Sequence, residues 1–123
     1  MGSFKDLIVY KKAFALAMEI FEMTKNFPIE EKYSLIDQIR RSSRSVCTCL
    51  AEAYRKRRYI AHFVSKTTDS DMENSETQVW LDFSYACGYM NEETYRDKVS
   101  KSEEVGRLLQ DIINNPEKYG SGK

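Results

Sequence analysis

Apolar side chains recur every three or four residues along most of the chain, the period of helices with one buried face. In the first segment Tyr10, Ala13, Phe14, Ala17, Ile20, Phe21 and Thr24 mark one such stripe, which predicts a helix from about Lys5 to Lys25. Pro28 suits the first turn of a second helix, where its missing N–H would be orphaned anyway, and Glu30 and Glu31 place negative charge at that helix start. Ile36, Ile39, Ser43, Val46, Leu50 and Ala53 then form the second stripe. Arg55, Lys56, Arg57 and Arg58 crowd its far end, where cations suit the exposed carbonyls, so a break is expected near Arg57. Val64, Thr68, Met72, Ser75, Val79, Phe83, Ala86 and Met90 outline a third helix; Gly88 and Asn91 supply its stop and the next N-cap, with Glu92 and Glu93 in the new first turn. Tyr95, Val99, Ser102, Val105, Leu108, Leu109, Ile112 and Ile113 outline a fourth, which ends before Asn115 and Pro116.

Four amphipathic helices with short links bury their stripes most simply as an all-α, antiparallel up-down four-helix bundle. Residues 1–116 are read as this single domain and 117–123 as a flexible tail. A chain of 123 residues, 41% of them hydrophobic, fills such a core without disulfide or metal staples. One apolar face is left over. In "AFALAMEIF" Glu19 is the only charge, and Leu16, Met18 and Met23 lie off the main stripe of the first helix, so a homo-oligomer is expected to cover them. Three cysteines make an odd count, and neither a signal-peptide order nor a membrane-length apolar run is present. The chain therefore reads as cytoplasmic, with reduced thiols and no membrane partner.

Charge sharpens this picture locally and not globally. A net charge of zero disfavours a DNA-coating role, because no general field would draw polyanions. Residues 40–58 nevertheless hold Arg40, Arg41, Arg44, Arg55, Lys56, Arg57 and Arg58 against Glu52 alone, and residues 69–82 hold Asp69, Asp71, Glu73, Glu76 and Asp82 with no base. In a hairpin turning near Arg57 or Arg58, Arg40 faces Glu76 and Arg44 faces Met72, between Asp71 and Glu73. Arg40, Arg41, Arg44, Glu73 and Glu76 are thus expected to form structural ion pairs. At the bend no acid is near Arg55, Lys56, Arg57 and Arg58, and Tyr54, Tyr59, His62 and Lys66 accompany them. Arg55, Lys56, Arg57, Arg58, Tyr59 and Lys66 are the candidate nucleic-acid contacts, weighed against a solvated helix terminus capped by its own charges.

Other chemistries fare worse. Cys47 and Cys49 point about 200° apart on a helix and cannot share a metal ion, and Cys87 reads like them as a small packing residue. His62 is the only histidine, too few for the Glu-x-x-His pairs of di-iron bundles. "DSDMENSETQVW" begins like a calcium loop but has Asn74 where a Gly is needed and Trp80 where a bidentate Glu is needed. Glu73 and Glu76 have no nucleophile or phosphate cradle beside them, so no catalytic residue, metal or cofactor is assigned.

The stretches "FKDLIVYKKA", "FPIEEKYSLIDQIRRSS", "LAEAY" and "SETQV" resemble the 23S rRNA intervening sequence proteins over about residues 4 to 90. The specific part is Phe27-Pro28-x-Glu30-Glu31-Lys32-Tyr33 at a fixed distance from Gln38-Ile39-Arg40-Arg41. Tyr10 stands where that family favours Trp, Ser34 where it has Gly, Cys47 and Cys49 where it often has Pro and Asn, and Ala53 where it has Gly. Cys47 in place of Pro implies a straighter second helix. The resemblance implies a small bacterial cytosolic protein, a pentameric ring of four-helix bundles and no enzymatic activity; one branch resembles accessory proteins of diversity-generating retroelements, which bind nucleic acid. The reading taken forward is a non-enzymatic homo-oligomer that binds structured RNA or a ribonucleoprotein through the basic bend, with a protein-interaction scaffold as the alternative.

Overall fold

A computed structural model of the chain describes residues 2–119. Its helices are α1 (Ile8–Thr24), α2 (Leu35–Arg55), α3 (Ile60–Ala86) and α4 (Glu92–Asn114), with 3-10 turns at Phe4–Asp6, Ile29–Glu31 and Pro116–Lys118. No strand occurs among the described residues. α1 packs on α2 and α4, α2 on α3, and α3 on α4, so the chain runs round an up-down bundle with α1 and α3 on the diagonal. None of its described helices is long and apolar enough to cross a membrane.

The ends of the helices follow their residues. Ser3 and Asp6 form a capping box at the first turn, the Asn91 Oδ1 accepts from the Thr94 N–H at 2.8 Å, and Gly88 at φ +80 closes α3. Around Gly88 the Tyr89 N–H donates to the Ser84 carbonyl and the Gly88 N–H to that of Tyr85, both at 2.9 Å, which satisfies carbonyls left over at the helix end. Pro28 sits differently from expectation. It caps the separate turn Ile29–Glu31, and α2 begins only at Leu35 after a further bend. With Cys47 inside it, α2 then continues as one helix to Arg55.

Two faces differ from the periodic reading. On α1 the buried residues are Val9, Ala13, Leu16, Ala17, Ile20 and Thr24, so the core-facing side is rotated; Leu16 is buried, and Phe14 is left 51% exposed. On α3 the change is larger. Phe63, Thr67, Ser70, Asn74, Thr77, Leu81 and Ser84 face inward, while Met72 (67%), Val79 (47%) and Phe83 (54%) from the expected stripe face out. Small hydroxyl and amide residues fit the narrow space between α2, α3 and α4, and their buried side chains find hydrogen-bond partners. Ser42 and Thr77 share a hydrogen bond of 2.8 Å, Ser70 donates to the Val46 carbonyl at 2.8 Å, and Asn74 donates to the Ser102 carbonyl at 2.9 Å. A Cβ on Gly106 would come within 3.3 Å of the Asn74 amide, which shows how closely α4 approaches α3.

Apolar zones fill the remainder. Near the α2–α3 bend Val9, Ala13, Val46, Leu50, Phe63, Val105, Leu109 and Ile112 form one cluster, onto which Leu7 and Tyr119 pack. At the other end Phe27, Leu35 and Ile36 gather with Met23, Trp80, Tyr89 and Met90. The tail expected from residue 117 starts later, because the Tyr119 hydroxyl donates to Asp111 and its ring covers the core; residues 120–123 of that tail lie outside the described residues.

Candidate nucleic-acid interface

The bend between α2 and α3 is made by the chain turning back on its last carbonyls. The Lys56 N–H donates to the Ala53 carbonyl at 2.9 Å and the Tyr59 N–H to that of Lys56 at 2.8 Å. Arg57 belongs to this cap. Its Nη1 donates to the Tyr54 carbonyl at 2.9 Å and its guanidinium lies 4.0 Å from the Tyr54 ring centre. Lys66 is also engaged, by Glu52 at 2.9 Å and Asp69 at 3.6 Å, and the Glu52 hydrogen bond raises its pKa. Of the six residues expected to contact nucleic acid, Arg57 therefore serves the helix end and Lys66 answers acids. Arg55, Lys56 and Arg58 are exposed and make no ion pair among the described residues, with Tyr59 57% exposed and edge-on to His62 at 6.2 Å.

The hairpin electrostatics are shifted by one residue from the expected register. Arg41, not Arg40 or Arg44, meets the acidic row: Nη2 bonds to Glu76 Oε2 and Nη1 lies 3.5 Å from Glu73 Oε1. Glu76 above all, with Glu73 and Asp37 adding, holds the Arg41 pKa up. Glu73 Oε1 is buried and has no hydrogen-bond donor, so the Arg41 charge is what offsets its burial. Glu76 also accepts from the Trp80 Nε1 at 3.1 Å.

Arg40 and Arg44 turn the other way, toward α1. Arg40 Nε donates to the Thr24 Oγ1 at 2.8 Å and its Nη2 to the Phe21 carbonyl at 3.3 Å, with the guanidinium 4.7 Å from the Phe21 ring centre. Arg44 lies 5.6 Å from the same ring, and Lys25 4.8 Å. Lys25 has Glu22 at 3.2 Å, whereas Arg40 and Arg44 make no ion pair among the described residues. They border a groove of about 520 Å³ lined also by Lys32, Tyr33, Asp37, Arg41, Ser45 and Thr48. Sequence reasoning missed this cluster because nothing in residue spacing says which of two adjacent arginines faces which neighbour.

Among the described residues no three His, Cys, Asp or Glu side chains converge on a point. Burial pushes the Cys47 thiol up to about 11, which removes it as a nucleophile near neutral pH. What the geometry offers is a set of fixed guanidinium groups beside exposed phenol rings, the pairing that holds phosphates and stacks bases.

A family model described as 23S rRNA-intervening sequence protein matches residues 5–111. The chain is also similar to a protein of unknown function from the S23 ribosomal protein family of Bacteroides thetaiotaomicron VPI-5482, at 30% identity over 89% of this chain and 98% of that one, with a TM-score of 0.80. No curated protein matches it.

Proposed function

The chain belongs to the 23S rRNA-intervening sequence protein family, and from that premise we propose that it is a non-enzymatic, self-associating protein that binds RNA or a ribonucleoprotein through the α2–α3 bend. The observation that carries this reading is the partnerless state of Arg55, Lys56 and Arg58 among the described residues, beside the exposed Tyr59. The molecule has equal numbers of acids and bases, yet its ion pairs among the described residues involve other cations, and even Glu52, one turn before Arg55 and Lys56 on α2, bonds to Lys66. Charges left over at one end create a local positive field without a net one. Self-association supplies more copies of that end, and a ring of five is the form expected from the family resemblance.

A salt titration of RNA binding tests the reading. Affinity should fall steeply as salt rises, and changing Arg55, Lys56 and Arg58 together to Ser should flatten the slope of log K against log salt by about two units on a single strand. Unchanged binding by that triple variant rejects the site.

The exposed faces of α1 and α3 favour the scaffold alternative as far as assembly is concerned. Phe14 and Met18 on α1, and Met72, Val79 and Phe83 on α3, lie on diagonally opposed sides of the bundle. Two different patches facing away from one another suit head-to-tail contact, which closes into a ring when the rotation allows it. Light scattering that gives a 14.4 kDa particle at micromolar concentration rejects self-association, and the absence of RNA binding at low salt leaves a protein scaffold.

A further inference from the structure

The bend is only one end of a longer cationic surface. At 100° per residue, Arg40, Arg44 and Arg55 lie within about 60° of one another around α2 and span about 22 Å along the axis, Arg44 and Arg55 exposed and Arg40 half-buried against α1. The core-facing residues Ile39, Val46, Leu50 and Ala53 lie on the opposite side. Arg58, also exposed, follows in the turn just past the helix end. Arg41 and Lys66 flank it but are neutralised, and one acid, Asp37, lines the groove without an ion pair among the described residues.

Two features set Arg40 and Arg44 apart from ordinary surface arginines. Both are stacked on the same ring, Phe21, and Arg40 is further pinned by the buried Thr24 hydroxyl. Two like charges held side by side repel, and neither makes an ion pair among the described residues, although Asp37 lines the same groove. Preorganised guanidinium groups that hold no carboxylate lose little entropy when an anion arrives. Exposed tyrosines stand at both ends of the line: Tyr33 (84%) lines the Arg40–Arg44 groove and Tyr59 the bend. Lys32 lies over the Tyr33 ring at 5.3 Å and Tyr59 meets His62 edge-on, which leaves exposed phenol surface that can stack on unpaired bases and cannot reach bases inside a duplex.

We infer that the outer face of α2, from the Tyr33–Arg40–Arg44 groove to Arg55 and Arg58, is a track for the sugar-phosphate backbone of a single-stranded polynucleotide, with Tyr33 and Tyr59 as stacking platforms. The inference rests on the nucleic-acid reading of the bend and names its substrate class, an unpaired strand. Arg44 is the sharpest handle, since it is exposed and makes no hydrogen bond that the fold needs.

The test is fluorescence anisotropy on the full chain with a labelled oligo-uridylate of about 12 nucleotides, beside a blunt duplex of equal length. The strand should bind more tightly than the duplex. Arg44→Ser should flatten the salt slope on the strand by about 0.7, and Tyr33→Ala should weaken binding about tenfold, with circular dichroism melts of both variants matching the parent. If Arg44→Ser and Tyr33→Ala bind like the parent while the Arg55, Lys56 and Arg58 triple variant does not, the track is wrong and the bend survives. Parental binding by all three sinks both readings. Saturable binding of inorganic phosphate to the groove by calorimetry, lost in Arg44→Ser, with no affinity for the strand, would replace the track with a small-anion site. A changed particle mass in Arg44→Ser with unchanged strand binding would make this face a subunit contact and also overturn the inference.

Discussion

α2 and α3 are neighbours of similar length with opposite amphipathicity. α2 turns Ile36, Ile39, Val46, Leu50 and Ala53 inward and Arg41, Arg44 and Arg55 outward. α3 turns Thr67, Ser70, Asn74, Thr77 and Ser84 inward and leaves Met72, Val79 and Phe83 in the open. α2 is thus held by burying apolar area, and α3 by shape and by hydrogen bonds closed inside the bundle. The difference teaches where to look for partners. A helix that hides polar groups and shows apolar ones spends its hydrophobic surface outside its own fold.

The largest effect expected from attacking this contrast is on α2. Leu50→Ala removes a fully buried side chain from the apolar zone near the bend and should cost about 3 kcal/mol in urea denaturation. A loss under about 1 kcal/mol would mean the zone collapses easily and the contrast is weaker than drawn. On α3, Asn74→Leu keeps a side chain of broadly similar size but removes the acceptor of the Ser102 O–H, at 3.0 Å, and the donor to the Ser102 carbonyl, at 2.9 Å, and should cost about 2 kcal/mol. A neutral or stabilising result would show that the polar seam merely fills space.

The opposite wall, where α1 meets α4, serves as a control because its link is ionic. Burial raises the Glu19 pKa, but hydrogen bonds and charge from Lys98 and Lys101 outweigh that and leave it below its ordinary 4.5. A carboxyl lowered on folding stabilises above its unfolded value and loses that contribution as pH falls through the folded one. Glu19→Gln should therefore flatten the stability-against-pH curve below about pH 4.5, with less than about 1 kcal/mol lost at neutral pH because the group is partly exposed. An unchanged acid limb in the variant contradicts this. Smallest of all is the effect on folding of Val79→Ser with Phe83→Ser, under about 0.5 kcal/mol each. Light scattering should nevertheless show the assembly of the double variant falling toward 14.4 kDa; a parental mass would mean that the outer face of α3 joins nothing.

The same contrast explains what could be read in advance. Every position of the expected α2 stripe is buried, because there the apolar and the inward positions coincide. The break at the bend, the stop at Gly88 and the cap at Asn91 follow from local chemistry that needs no neighbour. On α3 two stripes share one period: residues 64, 68, 72, 75, 79 and 83 are richer in apolar side chains, and the inward set lies one or two residues earlier. Only the shape of the space beside α2 and α4 selects between them. The same ambiguity left Arg41 alone, of the three arginines expected to meet the acids, in contact with them, since adjacent side chains on a helix point 100° apart. Charge counting found that acids answer bases across the hairpin, and geometry alone decided which base.

Trp80 is the chain's one tryptophan, and it sits on the seam where these differences meet. Its indole N–H is bonded to the Glu76 carboxylate that also holds Arg41, and its ring centre lies 5.9 Å from that of Phe83 on the open face. The protein thus carries its own optical reporter. Shifts in ultraviolet emission on adding an oligonucleotide, on dilution or on titration would register, without any label, whether the arginine side or the apolar side of the helix pair has been disturbed.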